Sequence, residues 1–194
     1  MPPKRKRVDV EYPPERVAKA IHLIRNPFHN IIARYHLEHK HAGDKDKQAW
    51  LNAHPNDKEG LQEYCKGLDE RYQEEDEKYF GKDKVPKAPC HGEFFKWTQW
   101  HNLAIEGIKL IEQDHPVPTL LVYYEDYTTK FNQTVDRILD FLELEEEGYR
   151  REFAARSDYG GYFSDEQVRS ARKLVKRVAS DETWALVKHY FDDY

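Results

Sequence analysis

The stretch Ala20-Ile21-His22-Leu23-Ile24-Arg25-Asn26-Pro27-Phe28 decides how the rest of this chain is read. A short apolar run halts at an arginine, an Asn-Pro pair follows, and then Phe28, Ile31, Ile32, Tyr35 and His36 recur at helical spacing. Pro27 suits the first helical position, where no N–H is needed, and Asn26 suits the N-cap. Residues 19–40 therefore read as a strand, a turn and a helix. The first N–H groups of a helix have no partner within it, and its dipole favours negative charge, so the turn is the natural place for an anion. Arg25 adds a planar fork of donors matched to phosphate. The same spacing also fits a plain strand-to-helix turn whose arginine pairs with a nearby carboxylate. On spacing alone both readings stay open.

Further along, Pro118-Thr119-Leu120-Leu121-Val122-Tyr123-Tyr124 reads as a second buried strand, ending at Glu125-Asp126. Carboxylates at the C-terminal end of a parallel strand sit at the rim where ligands bind, but they also cap the next helix or pair with Arg25, the role expected of Asp126. Phe131, Val135, Ile138, Leu139 and Leu142 predict the helix that follows. Between the strands, a charged helix is expected over 61–80 and a longer one over 92–113. The longer one shows an apolar face of Phe94, Trp97, His101, Ala104, Ile108 and Ile111, widened by Trp100, Leu103 and Leu110. That face is expected to pack on the sheet. There His101 reads as a satisfied core histidine, and Phe94, Trp97 and Trp100 as core, with the wall of an acceptor pocket as the alternative.

Residues 39–60 read as polar loop, 81–89 as a lysine- and proline-rich loop, and 143–157 as a further helix before Gly160-Gly161. Ser164-Asp165-Glu166-Gln167 is a capping box opening another helix. Ser180-Asp181-Glu182 caps a last one that buries Trp184, Val187, Tyr190 and Phe191. Strands separated by helices imply a parallel sheet with right-handed crossovers. Two evident strands cover too little for so many amphipathic helices. Further strands are expected either within the polar segments or outside this chain.

The 194 residues suffice for one domain with a real core. Residues 1–18 read as a basic, extended tail and 19–194 as the domain. A net charge of −5 argues against a general nucleic-acid binder, which needs a basic face. No apolar run approaches the ~18–20 residues of a membrane span, and no signal-peptide core follows Met1. The run Lys4-Arg5-Lys6-Arg7 fits a nuclear localisation signal or a solvated tail. Cys65 and Cys90 are the only cysteines; they are either a disulfide or free thiols. With His91 and His101 they complete no familiar metal spacing, and His36, His39 and His41 read as a solvated face, so no metal ligand is assigned.

Arg25-Asn26-Pro27 after an apolar strand resembles the second nucleotide-binding motif of sulfotransferases that use 3′-phosphoadenosine 5′-phosphosulfate. Tyr123-Tyr124-Glu125-Asp126-Tyr127, with 131–144 behind it, resembles the same family's "YED" and "FL-L" segment. Residues 159–191 resemble the C-terminal helices of its carbohydrate-type members. The resemblance implies an α/β fold, a parallel sheet flanked by helices in the P-loop NTPase-like manner, helix-rich and incomplete at its N-terminus. It implies sulfuryl transfer from that nucleotide to a hydroxyl acceptor, a carbohydrate or similar.

By resemblance, Arg25 binds the 3′-phosphate, Asn26 and the helix start hold the leaving nucleotide, Tyr124 lies near the adenine, and Arg156 falls in the family's final basic loop. The family's serine, eight residues after the arginine, is here Ala33. Its Lys- and Gly-bearing loop for the 5′-phosphosulfate and its catalytic base have no counterpart in the 24 residues before Arg25, which contain no glycine and no histidine ahead of His22. The expectation is therefore the C-terminal part of a sulfotransferase domain, either a truncated enzyme or a non-catalytic nucleotide-binding or interaction remnant. A P-loop kinase shares the architecture but would need a Gly-rich Lys-Ser/Thr loop that is not present. The family pattern implies the Golgi lumen, where a Cys65–Cys90 bridge would be stable. The basic run implies a nuclear or cytoplasmic location instead.

Overall fold

The computed structural model describes residues 16–41, 47–82, 86–114, 117–151, 153 and 159–192. The basic run at 4–7, the Tyr12-Pro13-Pro14 lead-in and Arg156 lie outside the described residues. In chain order the elements are β1 (Ala20–Ile24), α1 (Pro27–His41), α2 (Lys47–Ala53), α3 (Lys58–Phe80), α4 (His91–Asp114) and β2 (Thr119–Tyr123). There follow α5 (Asp126–Thr129), α6 (Phe131–Leu142), α7 (Asp165–Val178), α8 (Asp181–Val187) and a closing 3-10 turn (Lys188–Phe191).

β1 and β2 pair in parallel, in register from Ala20 with Thr119 to Ile24 with Tyr123. The Tyr124 N–H extends the ladder to the Ile24 carbonyl at 2.8 Å. Both strands therefore stop at the same level, and the turn Arg25-Asn26 comes to lie beside Tyr124-Glu125. These are the only strands among the described residues. Among their described residues the polar segments hold no strand: α2 lies where loop is expected, and α3 fills 58–80. The result is the expected α/β arrangement, a small parallel sheet flanked by helices, with the helices dominating.

Side chains alternate along β1. His22 and Ile24 are buried toward the helices, whereas Ile21 and Leu23 stay 39% and 43% exposed. Phe28, in the first turn of α1, is fully buried at the centre of the core. Its ring meets Phe94, Phe163 and Phe191 edge-on, at centroid distances of 5.1, 5.1 and 5.5 Å. These contacts tie α1 to α4, to the segment entering α7 and to the C-terminal turn. Each such pair adds about 0.5–1.5 kcal/mol beyond the area it buries.

On the far side of α1, Ile31, Ile32 and Tyr35 meet Leu61 and Cys65 of α3. Cys65 and Cys90 form a buried disulfide, which settles the open question of the thiols and closes the α3–α4 connection. Gly60 is required there: a Cβ would fall 1.8 Å from the Pro55 carbonyl oxygen, inside the corner where Tyr35 donates its hydroxyl to His54 and Pro55. His91, next to the disulfide, lies between Asp69 at 3.1 Å and Asp76 at 2.6 Å. Burial opposes its charge, but the two carboxylates outweigh burial and raise its pKa.

Several expectations change. No helix forms over 143–151: α6 stops at Glu143 in the left-handed region (φ 58°), and Gly148 turns the chain again at φ 93°. Four glutamates between 143 and 147 would repel one another on a helix. Trp100, Leu103 and Leu110 do not widen the buried face of α4; they are 57%, 63% and 56% exposed. His36 and His39 are not a solvated face either. His36 stacks on Tyr159 and His39 meets Trp50 edge-on, each half-buried. The capping box at Ser164–Gln167 and the Ser180 cap form as expected.

Candidate functional site

The end of β1 turns directly into α1 because Asn26 caps the helix. Its Oδ1 accepts the N–H groups of Phe28 and His29 at 2.9 and 3.2 Å, and its carbonyl accepts from Asn30. Pro27 occupies the first helical position, where it has no N–H to lose. The Asn26 N–H donates to Glu125 Oε1 at 2.8 Å, and Tyr190 donates its hydroxyl to Glu125 Oε2 at 2.7 Å. Burial and that carboxylate push the Tyr190 hydroxyl well above its ordinary pKa. The expectation of free N–H donors at this helix start is therefore corrected. The cap itself takes them, leaving the positive end of the dipole to favour an anion.

Arg25 differs from its surroundings. None of the ion pairs among the described residues includes it, and Asp126 pairs with Lys130 at 3.8 Å rather than with Arg25. The guanidinium lies over the Tyr124 ring, 4.4 Å from its centroid. Its Nε is buried and makes no hydrogen bond, alone in this among the side-chain nitrogens and oxygens of the described residues. Leaving a buried donor unpaired costs about 1–3 kcal/mol. The contact with Tyr124 holds the guanidinium and leaves its Nε edge free for two oxygens of a phosphate or sulfate.

Arg25 lines a cleft of about 460 Å³, together with Leu23, Arg34, Trp97, Trp100 and Tyr124. Asn30 and Arg34 bring one face of α1 to it, and Glu93, Lys96 and His101 bring the facing side of α4. Arg34 Nη1 bonds Glu93 Oε2 at 2.5 Å and Lys96 Nζ lies 3.2 Å from Glu93 Oε1, so one nearly buried carboxylate serves two cations. Counting Arg25, Arg34 and Lys96 against Glu93, the cleft keeps an excess of positive charge. His101 is buried in its wall, with Nδ1 2.8 Å from Nε2 of His22. Burial, and then His22, lower its pKa to about 4, and burial lowers that of His22, so the pair is neutral at pH 7. His29 is likewise held below its usual pKa by burial, with Glu125 opposing and Arg25 adding.

Of the residues singled out from the sequence, Arg25, Asn26 and Tyr124 come together at the ends of the two strands, whereas Arg156 lies outside the described residues. Trp97 and Trp100 line the cleft, while Phe94 is fully buried core. Sequence reasoning missed Asn30, Arg34, Glu93 and Lys96. Asn30 and Arg34 carried a findable signal, since they lie one turn apart on the face that follows Arg25. The pairing of Arg34 with a glutamate 59 residues away carried none. Among the described residues no group of three or more His, Cys, Asp or Glu could hold a metal, and no helix is long and apolar enough to cross a membrane. In comparison with known proteins, the model of one family, described as a sulfotransferase domain, matches residues 14–192. No curated protein and no solved structure matches the chain.

Proposed function

From the premise that this chain belongs to the sulfotransferase-domain family, we propose that its cleft binds 3′-phosphoadenosine 5′-phosphosulfate and presents it to a hydroxyl acceptor, a carbohydrate or similar. The observation that carries the reading is the buried, unpartnered Nε of Arg25 at the mouth of a positively charged cleft, beside the start of α1. A buried arginine edge without a carboxylate is a fit for the 3′-phosphate of that nucleotide. The bound nucleotide supplies an activated sulfuryl group and a 3′,5′-bisphosphate leaving group.

This chain's own residues then bind and orient. Arg25 neutralises charge on the nucleotide, and Tyr124 holds the guanidinium plane and offers a ring beside the adenine. Asn26 fixes the turn through its cap, which keeps the start of α1 beside Arg25. Glu125 pins the two strand ends together so that Arg25 and Tyr124 keep their relative position. The His22–His101 pair remains uncharged in the wall, and the exposed Trp100 gives a sugar-sized acceptor an apolar surface.

The test is calorimetric titration of the purified chain with adenosine 3′,5′-bisphosphate, beside Arg25→Ala. Binding that falls at least 10-fold in the variant supports the reading. A folded wild-type chain that does not bind overturns it. Radiolabelled sulfate transfer from the full nucleotide to a panel of sugar and phenol acceptors then separates an enzyme from a nucleotide-binding protein of the same fold.

A further inference from the structure

We propose that Arg34 is the second ligand of the nucleotide's 3′-phosphate and takes over a role that Ala33 cannot fill. This rests on the nucleotide-binding reading above. Ala33 carries no donor, so Arg25 would otherwise face a doubly charged phosphate without help from α1. The next residue supplies what is missing. Asn30 and Arg34 lie one turn apart on the face of α1 that lines the cleft with Arg25. Long helical side chains lean toward the helix N-terminus, so an arginine at 34 covers the turn before it, on the side where Arg25 lies.

The side chain is also positioned in advance. Glu93, only 8% exposed, holds Arg34 Nη1, and Tyr64 lies near the same guanidinium. Arginine has five N–H donors, so these partners leave others to point into the cleft, where the side chain is still half exposed. Glu93 meanwhile binds Lys96 as well, so its single charge does not cancel the two cations that it holds. A surface ion pair without a further purpose would need no buried carboxylate shared between two helices and two cations.

The experiment compares adenosine 3′,5′-bisphosphate with adenosine 5′-monophosphate, by calorimetry, on the full chain. Arg34→Ala is expected to weaken the bisphosphate about 10- to 100-fold and to leave the monophosphate unchanged. Adding Ala33→Ser to Arg34→Ala is expected to restore part of that discrimination, which a merely structural role for Arg34 would not allow. Equal weakening of both nucleotides, or no change in either, overturns the proposal. Should Arg34→Ala fail to fold, Arg34→Lys retains the pairing with Glu93 and must still lose a few-fold for the bisphosphate alone. Binding that depends on Arg25 while both Arg34 variants are silent defeats this inference and leaves the nucleotide reading standing. A wild type that does not bind the bisphosphate defeats both.

Discussion

At the end of β2, the carboxylate of Glu125 is filled twice, by the Asn26 N–H and the Tyr190 hydroxyl. At the level of the same turn, the end of β1 carries Arg25, whose Nε is buried with no partner at all. Both are charged residues at the C-terminal end of a parallel strand, where a sequence reader expects ligands. The difference separates their roles. A charged group whose hydrogen bonds are all met inside the protein holds the fold, whereas one left short of partners under burial is set for something from outside.

The comparison breaks most visibly at Glu125. Truncation to Ala leaves two buried donors without an acceptor, one of them the N–H that joins the strand ends. The expected loss is about 2–4 kcal/mol in urea denaturation, with Glu125→Gln less damaging because it keeps one acceptor. A loss below about 0.5 kcal/mol would show that the strand ends are held by the β ladder alone.

Acid tests the other side of β1. His22 and His101 are neutral in the folded state, and His101 is held at about 4, below the ordinary value near 6.5. As the pH falls through 6.5, the unfolded chain takes up protons that the folded chain refuses. The stability that this pair contributes is present above about pH 6.5 and lost as the pH falls toward the folded pKa. His101 alone is expected to cost about 2 kcal/mol between pH 6.5 and 4.5. Melting curves of His101→Asn should show a shallower slope over that window. The opposite sign is expected of His91, whose raised pKa gives stability that is full below about pH 6.5 and is lost as the pH climbs through it. A steep acid slope unchanged in His101→Asn would place the sensitivity elsewhere.

How much of this was legible follows the same division. The strand-turn-helix at 20–41, the cap by Asn26 and the second strand were readable because each rests on local chemistry: apolar runs, a proline at the first helical position, a side chain that reaches its own helix. Arg25 and Tyr124 were each singled out by the resemblance to the family, and the parallel register sets them side by side. The expected pairing of Asp126 with Arg25 failed, because Asp126 opens the short α5 and finds Lys130 one turn on. The helix expected over 143–157 failed over 143–151, where a left-handed residue outweighs a helix-friendly composition. The Glu93 bridge between Arg34 and Lys96 and the His22–His101 contact were not readable, since both join residues far apart in sequence through packing that no periodicity encodes.

A smaller effect is expected at the cap. Asn26→Ala removes the acceptor for two first-turn N–H groups and should cost about 1 kcal/mol, whereas Asn26→Asp keeps that acceptor and should cost less. The measurement is chemical denaturation of each variant beside the wild type. A cost as large as that of Glu125→Ala would mean that the turn is held by Asn26 first and by the strand-end carboxylate second.

The smallest expected change in stability is the sharpest test of the comparison. Arg25→Ala removes a stacking contact with Tyr124 worth about 0.5–1 kcal/mol, and it also removes a buried donor whose lack of a partner costs about 1–3 kcal/mol. The two oppose each other, so the variant should unfold within about 1 kcal/mol of the wild type, or slightly later. That near-neutrality in stability must accompany the loss of nucleotide affinity, because a residue that holds the fold cannot be deleted without cost and a residue set for a ligand can. A drop of 2 kcal/mol or more in Arg25→Ala would put Arg25 in the same class as Glu125. The asymmetry between the strand ends would then be one of packing and not of function.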